Sequence, residues 1–146
     1  MSSFLGIDVG STSITSVIIE TQSNSVVKST SIKNSCEVTS SSGRKIGRSE
    51  WDIEKMFGLV LKNTADLIKE TNLSLSAIGV TGQQQGLQLL DEKFKTVGNF
   101  ISWQDQRSKE LLPNNKQSYI ELMGEIGGAK NKVDGLPSFE NTGCPI

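Results

Sequence analysis

The stretch that most constrains the fold lies between residues 4 and 20 and reads FLGIDVGSTSITSVIIE. Two runs rich in apolar and β-branched residues, 4–7 and 14–19, flank a short segment of Gly, Ser and Thr. Runs of this composition, when separated by turn residues, predict two strands joined as a β-hairpin. The sequence therefore predicts a hairpin with one carboxylate, Asp8, at its mouth.

The tip of this hairpin has a composition that suits a phosphate group. Gly10, Ser11 and Thr12 offer backbone N–H groups and hydroxyls with little side-chain bulk. Asp8 beside them could bind a hard cation such as Mg²⁺, directly or through water. The segment is not a Walker A loop, because it lacks that spacing of Gly and Lys and leads into a strand. On these residues alone, an ordinary hairpin with an exposed Asp before its turn is the favoured interpretation.

Composition indicates an ordinary globular protein and excludes several classes of function. The 146 residues are about one domain's worth, and a net charge of −1 gives no field that would attract nucleic acid or an anionic membrane. No apolar run reaches the ~18 residues that a membrane helix needs. The chain has no histidine, so Ser-His-Asp catalysis, Cys-His catalysis and His-ligated zinc are excluded within it. Cys36 and Cys144 form no metal motif, and Asp8 would interrupt a signal sequence, so a cytoplasmic protein is expected.

The pattern after the hairpin predicts further strands and one long helix. A third strand is expected over 26–32, a polar surface loop with solvated basic residues over 34–50, and a helix over 52–71 with Asp52 as its N-cap. A strand of the buried parallel type is expected over 77–81. The side chains that fall on one helix face, and are therefore expected in the core, are Ile53, Met56, Phe57, Val60, Leu61, Thr64, Leu67 and Ile68.

The last third of the chain predicts shorter elements. Two strands are expected over 86–90 and 100–102, followed by a helix that opens with residues 103–107 and ends before Pro113. A further helix is expected over about 116–126. Residues 127–146 show no period and predict an irregular connection.

Two polar segments are candidates for ligand contacts. Gln83, Gln84 and Gln85 follow a predicted parallel strand, and ligands tend to bind at the carboxyl ends of such strands. Their amides can pair with the hydroxyls of a sugar or polyol. Trp103 offers a stacking face and Asp105 an acceptor to the same kind of ligand. An exposed glutamine loop, with Trp103 in the core and Asp105 as a helix cap, explains these residues equally well.

Three motifs in one order resemble the FGGY family of carbohydrate kinases, particularly its xylulokinase and sedoheptulokinase-like branches. They are G-I-D-V-G-S-T-S near the start, I-G-V-T-G-Q-x-x-G after the long helix, and W-Q-D-Q-R after the next strands. The resemblance covers nearly the whole chain and is weakest over residues 124–136. It implies an α/β, ribonuclease H-like fold, similar to actin and Hsp70. That fold has a mixed sheet, begun by a three-stranded antiparallel meander and flanked by helices.

The resemblance also implies a function. Residues 1–146 would be an incomplete N-terminal domain of an ATP-dependent carbohydrate kinase whose second, ATP-binding domain is absent from this chain. Asp8 would organise Mg²⁺, and Gly10, Ser11 and Thr12 would approach the phosphate that ATP transfers to the sugar.

The same resemblance implies a site for a small-molecule sugar, a ketose or a polyol. Gln83, Gln84 and Gln85 would hydrogen-bond the sugar, while Trp103 and Asp105 would line or buttress its pocket. Arg107 would brace that loop from behind.

Departures from the family pattern limit what the resemblance implies. Gln84-Gln85 stand where xylulokinase-type sequences carry Met-His and glycerol kinases Arg-Glu, so the sugar is not named. A basic residue near the phosphate in the family is replaced here by Ile14 or Thr15. The family's catalytic aspartate is expected beyond Ile146, so this chain alone is expected to be inactive.

Two other interpretations remain open. One is a kinase of another branch of the same superfamily, of the acetate-kinase or ROK type, against which the W-Q-D-Q-R segment argues. The other is a non-catalytic sugar-binding or actin/Hsp70-like module, a degenerate or truncated kinase. No partner role for nucleic acid or membrane is expected.

Overall fold

The computed structural model describes residues 2–113, 116–119, 121 and 122. They form two compact units, each discontinuous in sequence. The first unit contains the residues up to Cys36 together with Asp52–Gln83, and the second contains Glu37–Trp51 and the residues from Gln84 onward. In chain order the elements are β1 (Ser3–Val9), β2 (Ser13–Glu20), β3 (Ser25–Lys33), α1 (Ser41–Lys45), β4 (Glu50–Trp51), α2 (Ile53–Thr71), β5 (Leu75–Gly82), β6 (Leu87–Leu90), β7 (Thr96–Ile101) and a 3₁₀ turn (Arg107–Lys109).

The first unit is a mixed four-stranded sheet in the order β3-β2-β1-β5. β1, β2 and β3 are successive antiparallel strands, and β5 runs parallel to β1. The predicted antiparallel meander and the parallel strand after the long helix are both confirmed. The pairing places the ends of β1 and β5 side by side, because Val9 is the partner of Gly82.

Helix α2 begins and ends at the predicted residues. The Asp52 carboxylate accepts a hydrogen bond from the Lys55 N–H at 2.9 Å and so satisfies one donor of the first turn. Asn72 ends the helix in the left-handed conformation, with φ of 50°. Both termini are therefore encoded locally.

The core of the first unit lies between α2 and one face of the sheet. Leu5, Ile7, Ile18 and Leu67 are buried together there. The predicted core face of α2 is wrong for Phe57 and Leu61, which are 59% and 54% exposed. The reason is that α2 contacts the sheet on one side only, and such a contact buries a narrower stripe than the full run of apolar positions.

A polar cluster lies within this helix–sheet contact; we call it the α2 polar cluster. The Asn63 amide donates to Ser16 Oγ at 3.1 Å and its oxygen accepts from Thr30 Oγ1 at 3.3 Å. Ser16 Oγ and Thr64 Oγ1 are also 3.3 Å apart. Asn63 and Ser16 are buried, so each satisfies hydrogen-bonding groups of the other that water cannot reach.

The predicted burial of the strand over 77–81 is wrong. β5 has a paired neighbour on one side only among the described residues, and Ile78 and Val80 are 59% and 70% exposed. Both lie on the α2 face of the sheet, since they pair with the buried Leu5 and Ile7. α2 packs mainly over β1, β2 and β3. Of β5, Leu75 at its start packs against the buried cluster, whereas Ile78 and Val80 lie beyond the helix.

The second unit contains a three-stranded antiparallel sheet in the order β4-β7-β6. The strands predicted over 86–90 and 100–102 correspond to β6 and to the end of the longer β7. The predicted surface loop over 34–50 is wrong in part, because it contains α1 and β4. Ser40 is the N-cap of α1: its side chain accepts from the Gly43 N–H at 3.0 Å, a local cap that hydrophobic periodicity does not detect.

The prediction of solvated basic residues in that segment holds for the exposed Lys45 and is incomplete for Arg44 and Arg48, which form ion pairs. Arg44 pairs with Glu37 at 3.3 Å, and Arg48 pairs with Glu110 at 3.0 Å. The partner of Arg48 lies far along the sequence, so only tertiary structure brings the two charges together.

The helix predicted to open at 103–107 and run to Leu112 is wrong as well. Asp105 Oδ1 accepts from the N–H of Arg107, two residues ahead, at 2.9 Å. That bond forms a local turn of the kind that caps a helix, but the chain does not continue as an α-helix after it. Only the 3₁₀ turn Arg107–Lys109 follows, and Leu111 pairs with Ser118 in an isolated bridge.

Some predictions fall outside the described residues. Ser118 Oγ contacts Glu121 Oε2 at 2.7 Å, as at the start of a helix, but residues 120 and 123–126 of the helix expected over 116–126 lie outside them. The irregular connection over 127–146, with Cys144, does so entirely. Over the part of the chain that the structure describes, no helix is long and apolar enough to cross a membrane.

Candidate functional site

The tip of the β1–β2 hairpin is an open turn beside one carboxylate. Asp8 pairs with Thr15 near the end of β1, and its side chain is exposed. The Gly10 N–H closes the turn by donating to Ser13 O at 2.9 Å. Within the described residues, the backbone N–H groups of Ser11 and Thr12 donate to no protein acceptor. The turn therefore leaves two N–H donors for an anion next to an acid that can bind a cation.

Asn34 braces this tip from the end of β3. Its side-chain amide donates to Gly10 O at 2.8 Å, and its backbone N–H donates to Thr12 O at 2.9 Å. The Asn34 side-chain oxygen accepts from the Cys36 N–H at 3.2 Å, and Asn34 itself is buried. Sequence reasoning missed Asn34, because a single Asn after a strand is indistinguishable from an ordinary turn residue.

Gly10 keeps the space beside the Asp8 carboxylate open. A Cβ at this position would lie 3.1 Å from Ser13 O and 3.8 Å from Asp8 Oδ2. The described residues contain no group of three or more His, Cys, Asp or Glu that could enclose a metal ion. A single carboxylate fits Mg²⁺ nonetheless, because this ion is commonly bound by one or two carboxylates together with substrate phosphates and water.

Gln83 lies close to this hairpin in the first unit. Its backbone N–H donates to Val9 O at 3.2 Å, which extends the pairing of β1 with β5 by one residue. Because strand residues alternate between faces, Gln83 is on the same face as Thr81, the partner of Asp8. The Gln83 side-chain oxygen is buried and accepts no hydrogen bond from any described residue. A buried acceptor of this kind is a position where a ligand hydroxyl or a water is expected.

The other two glutamines of the predicted sugar loop belong to the second unit. Gln84 is exposed, and Gln85 is half-buried with a left-handed backbone, φ 58°. Non-glycine residues adopt that conformation at a cost of about 1–2 kcal/mol. The roles predicted for residues 83–85 remain predictions.

Trp103 lies in a tight turn of the second unit; we call residues 102–106 the Trp103 turn. The Asp105 N–H donates to Ser102 O at 3.0 Å, and the Gln104 N–H donates to Ser102 Oγ at 3.1 Å. The Trp103 side chain is 41% exposed. The alternative in which Trp103 is a core residue is therefore wrong, and its ring has a free surface for stacking.

Asp105 is buried and fully engaged by the protein. Oδ1 accepts from the Arg107 backbone N–H at 2.9 Å and from Arg107 Nε at 2.8 Å. Oδ2 accepts from the Ser49 N–H at 2.8 Å and from Arg107 Nη2 at 2.9 Å. Burial by itself would raise the pKa of the Asp105 carboxyl, but these hydrogen bonds from Arg107 and Ser49 outweigh it and lower the pKa. Asp105 was predicted either to line the sugar pocket or to buttress it. Its geometry supports the second role, because all of its hydrogen bonds go to the protein.

Arg107 joins Asp105 to Glu50, a residue that sequence reasoning assigned to a solvated loop. Arg107 Nη2 contacts Glu50 Oε1 at 2.6 Å, and Glu50 Oε2 accepts from Asn99 Nδ2 at 3.0 Å. The hydrogen bonds from Asn99 and from Arg107 lower the pKa of the Glu50 carboxyl. Hydrogen bonding to Asp105 raises the pKa of Arg107 further, so the guanidinium is always charged.

Backbone contacts attach the Trp103 turn to the segment that precedes β4. The Ser102 N–H donates to Ser49 O at 3.0 Å, and the Gln106 N–H donates to Gly47 O at 2.8 Å. Gly47 has φ of 82°, and a Cβ there would lie 2.9 Å from Gln106 Cβ, so this approach requires glycine.

Comparison with known proteins relates the chain to sugar kinases. Residues 3–124 match the profile of the FGGY family of carbohydrate kinases, N-terminal domain. The probable L-xylulose kinase of Haemophilus influenzae is 28% identical over 112 residues, which are 75% of this chain and 22% of that protein. The chain therefore spans less than a quarter of the length of this relative.

Solved structures give the same result for the fold. A ligand-bound xylulose kinase from Lactobacillus acidophilus superposes with a TM-score of 0.70 at 23% identity, over 87% of this chain and 23% of that one. The glycerol kinase of Plasmodium falciparum with ADP superposes with a TM-score of 0.65 at 19% identity, over 89% of this chain and 23% of that one. The predicted ribonuclease H-like fold is confirmed by these similarities.

Proposed function

The chain belongs to the FGGY family of carbohydrate kinases, and from this premise we propose that it supplies the sugar-binding wall and the phosphate-binding hairpin of an ATP-dependent carbohydrate kinase. The proposed reaction transfers a phosphoryl group from ATP to a hydroxyl of a ketose or polyol. The observation that carries the proposal is the hairpin tip, where two free backbone N–H groups lie beside the single exposed carboxylate of Asp8.

The proposed contribution of the hairpin is positioning and charge stabilisation, which are most of what phosphoryl transfer requires from a protein. The N–H groups of Ser11 and Thr12 would orient the transferred phosphate, and Gly10 leaves room for it. Asp8 would hold Mg²⁺, which neutralises charge on the phosphate oxygens when it is bound. Asn34 keeps the turn in shape through its bonds to Gly10 and Thr12.

Sugar contacts are proposed for residues 83–85 and for Trp103. The buried oxygen of Gln83 would accept a sugar hydroxyl, and the exposed ring of Trp103 would cover an apolar face of the sugar. We further propose that the catalytic aspartate and the ATP-binding domain come from sequence beyond Ile146. Because Cys36 and Cys144 belong to no C-x-x-C or His-rich sequence pattern, a cytoplasmic location is proposed as well.

The proposed role of the hairpin can be tested on this chain by NMR. Amide ¹H–¹⁵N spectra are recorded while MgCl₂ and ATP are added together. Addition is expected to shift the Ser11 and Thr12 signals, and Asp8→Asn is expected to remove most of that shift. The matched control is Glu20→Gln, which changes a carboxylate at the far end of the same hairpin. Unshifted Ser11 and Thr12 signals in the wild-type chain would overturn the proposed phosphate site.

A parallel titration with L-xylulose, D-xylulose and glycerol separates the two candidate functions. If a sugar shifts the signals of Gln83 or Trp103 while ATP shifts nothing, the sugar contact is supported and the phosphate site is not, as the non-catalytic sugar-binding interpretation expects. Sequencing the gene or transcript beyond Ile146 then shows whether an in-frame continuation supplies an aspartate base and an adenosine site.

A further inference from the structure

The Trp103 turn has two kinds of support in the second unit. Backbone hydrogen bonds to Gly47 and Ser49 attach its ends, and the side chain of Arg107 attaches Asp105 within it. The backbone bonds fix where the turn lies. The orientation of the segment that carries Trp103 depends in addition on where the Arg107 guanidinium is held.

Arg107 is held by two carboxylates from different parts of the sequence. Nε and Nη2 bind Asp105 in a two-pronged arrangement, at 2.8 and 2.9 Å. Nη2 carries a second proton, and Glu50 Oε1 accepts it at 2.6 Å. Glu50 is a residue of β4, and its other oxygen is bound by Asn99 on β7. Glu50 thus connects the guanidinium to the sheet of the second unit.

The two carboxylates differ in what their removal would do. Asp105 is fully buried, so replacing it would leave Arg107 partly unpaired and the Ser49 N–H without its acceptor. Glu50 is half-buried, and without its charge Arg107 still keeps both bonds to Asp105. Neutralising Glu50 should therefore loosen the guanidinium without unfolding the unit.

We propose that Glu50 is a positioning residue for the sugar contact of Trp103 and acts through Arg107. The inference rests on the proposed function, since it presumes that Trp103 contacts the sugar. Glu50 touches neither sugar nor phosphate in this proposal. It sets the orientation of the Trp103 ring before the sugar arrives, which lowers the cost of ordering the turn on binding.

The test uses the chain with 5-fluorotryptophan and ¹⁹F NMR, which gives one signal for each of the two tryptophans. Trp103→Phe and Trp51→Phe assign the signals. Glu50→Gln is expected to shift or broaden the Trp103 signal without sugar, while the free energy of unfolding in urea stays close to that of the wild type. The matched control is Glu37→Gln, which neutralises the partner of Arg44 in the same unit, outside this network.

The second readout is the affinity for L-xylulose, measured from the Trp103 signal. Glu50→Gln is expected to weaken binding about fivefold, somewhat less than the loss of a directly bound charged hydrogen bond. Glu37→Gln should leave the affinity unchanged. In an Arg107→Lys background, which removes the forked donor, Glu50→Gln should have no further effect. If the Arg107→Lys background does not fold, the test rests on the difference in L-xylulose affinity between Glu50→Gln and Glu37→Gln.

The outcomes separate this inference from the proposed function. An unchanged Trp103 signal in Glu50→Gln overturns the inference. So does a changed signal with unchanged affinity, because Glu50 is then a structural contact only. If L-xylulose, D-xylulose and glycerol all leave the wild-type Trp103 signal unmoved, the proposed sugar contact fails and the inference with it. The sugar-free spectra then still show whether Glu50 orders the turn.

Discussion

Phe94 has a left-handed backbone, φ 59°, at the tip of the β6–β7 hairpin, and 84% of its surface is exposed. The turn is closed by the Asp91 carboxylate, which accepts the N–H groups of Lys93 at 2.8 Å and Lys95 at 2.9 Å. A bulky residue in this conformation costs about 1–2 kcal/mol relative to glycine. The hydrogen bonds of Asp91 therefore impose the turn against the preference of Phe94.

Replacing Phe94 with glycine is expected to stabilise the chain. Relief of backbone strain exceeds the greater entropy of glycine in the unfolded state, so the expected gain in the free energy of unfolding is about 0.5–1 kcal/mol. Urea denaturation followed by far-UV circular dichroism measures it. Lys93→Gly is the control, because Lys93 is outside the left-handed region and glycine there should destabilise. A loss of stability in Phe94→Gly would contradict the prediction.

Because of the charge of Asp105, the stability of the folded chain is expected to fall at low pH. Its pKa is lowered in the folded state, so its contribution is present above the ordinary carboxyl value of about 4 and is lost as the pH falls through the lowered pKa. Asp105→Asn is expected to cost about 3 kcal/mol at pH 7, because Arg107 loses its buried partner. The variant should also show a weaker dependence of the unfolding free energy on pH below 4.

Urea denaturation at a series of pH values measures both effects of Asp105→Asn. The control is Asp66→Asn, which neutralises an exposed carboxylate of α2. If Asp105→Asn and the wild type lose stability equally as the pH falls, the lowered pKa of Asp105 is refuted.

At the scale of elements, α2 is held on the sheet by both apolar and polar contacts. The apolar contact does not fix the register of the helix, because the free energy of burying apolar surface depends on its area and not on direction. The α2 polar cluster is directional, since Asn63 bonds Ser16 on β2 and Thr30 on β3. A register shift of α2 would leave these buried groups unpaired.

Asn63→Ala is therefore expected to cost about 1–3 kcal/mol, because Ser16 loses its buried amide donor and keeps only the contact with Thr64, while Thr30 Oγ1 loses its acceptor. The change in the free energy of unfolding in urea measures this cost. Lys62→Ala, the neighbouring exposed position on the same helix, should stay within about 0.5 kcal/mol of the wild type. Equal effects of the two substitutions would exclude a stabilising role for the polar cluster.

At the scale of the whole molecule, β5 is the most exposed apolar feature of the first unit. Its sequence, LSAIGVTG, has no charge and no proline, and Ile78 and Val80 are largely exposed. Strand edges of this composition pair readily with other chains. The opposite edge strand, β3, carries Lys28 and Lys33, which oppose such pairing.

Val80→Lys is accordingly expected to reduce self-association of this chain. The added charge opposes strand pairing, and little packing is lost because Val80 is 70% exposed. Sedimentation velocity at several protein concentrations measures the effect. The control is Val26→Lys on β3, which is 62% exposed on an edge that already carries lysines, and which should change association little. Equal association in the wild type and Val80→Lys would contradict the prediction.

The sequence predicts the secondary structure of the first unit better than that of the second. The hairpin, the α2 termini and the parallel strand were predicted, because each rests on residues close together in sequence, such as Asp52 with Lys55. Phe57 and Leu61 were assigned to the core wrongly, since periodicity marks a face but not what covers it. In the second unit, the predicted loop over 34–50 is wrong for α1 and for Glu50 of β4, and the predicted helix over 103–112 is wrong as well. Helix α1 has a local cap that periodicity does not detect, whereas the Trp103 turn depends on partners far along the sequence, such as Ser49 with Asp105.

The sequence by itself determined the order of the first unit's elements, the family and the residue types available for chemistry, because these follow from local composition and spacing. Only the tertiary structure decided the roles of individual polar side chains. Asp105 is buried and binds Arg107, and Glu50 is the second carboxylate that Arg107 binds. Asn34 stabilises the hairpin tip by its hydrogen bond to Gly10. The physical reason is that a hydrogen bond depends on distance and direction between two groups, and a chain brings distant groups together only when it folds.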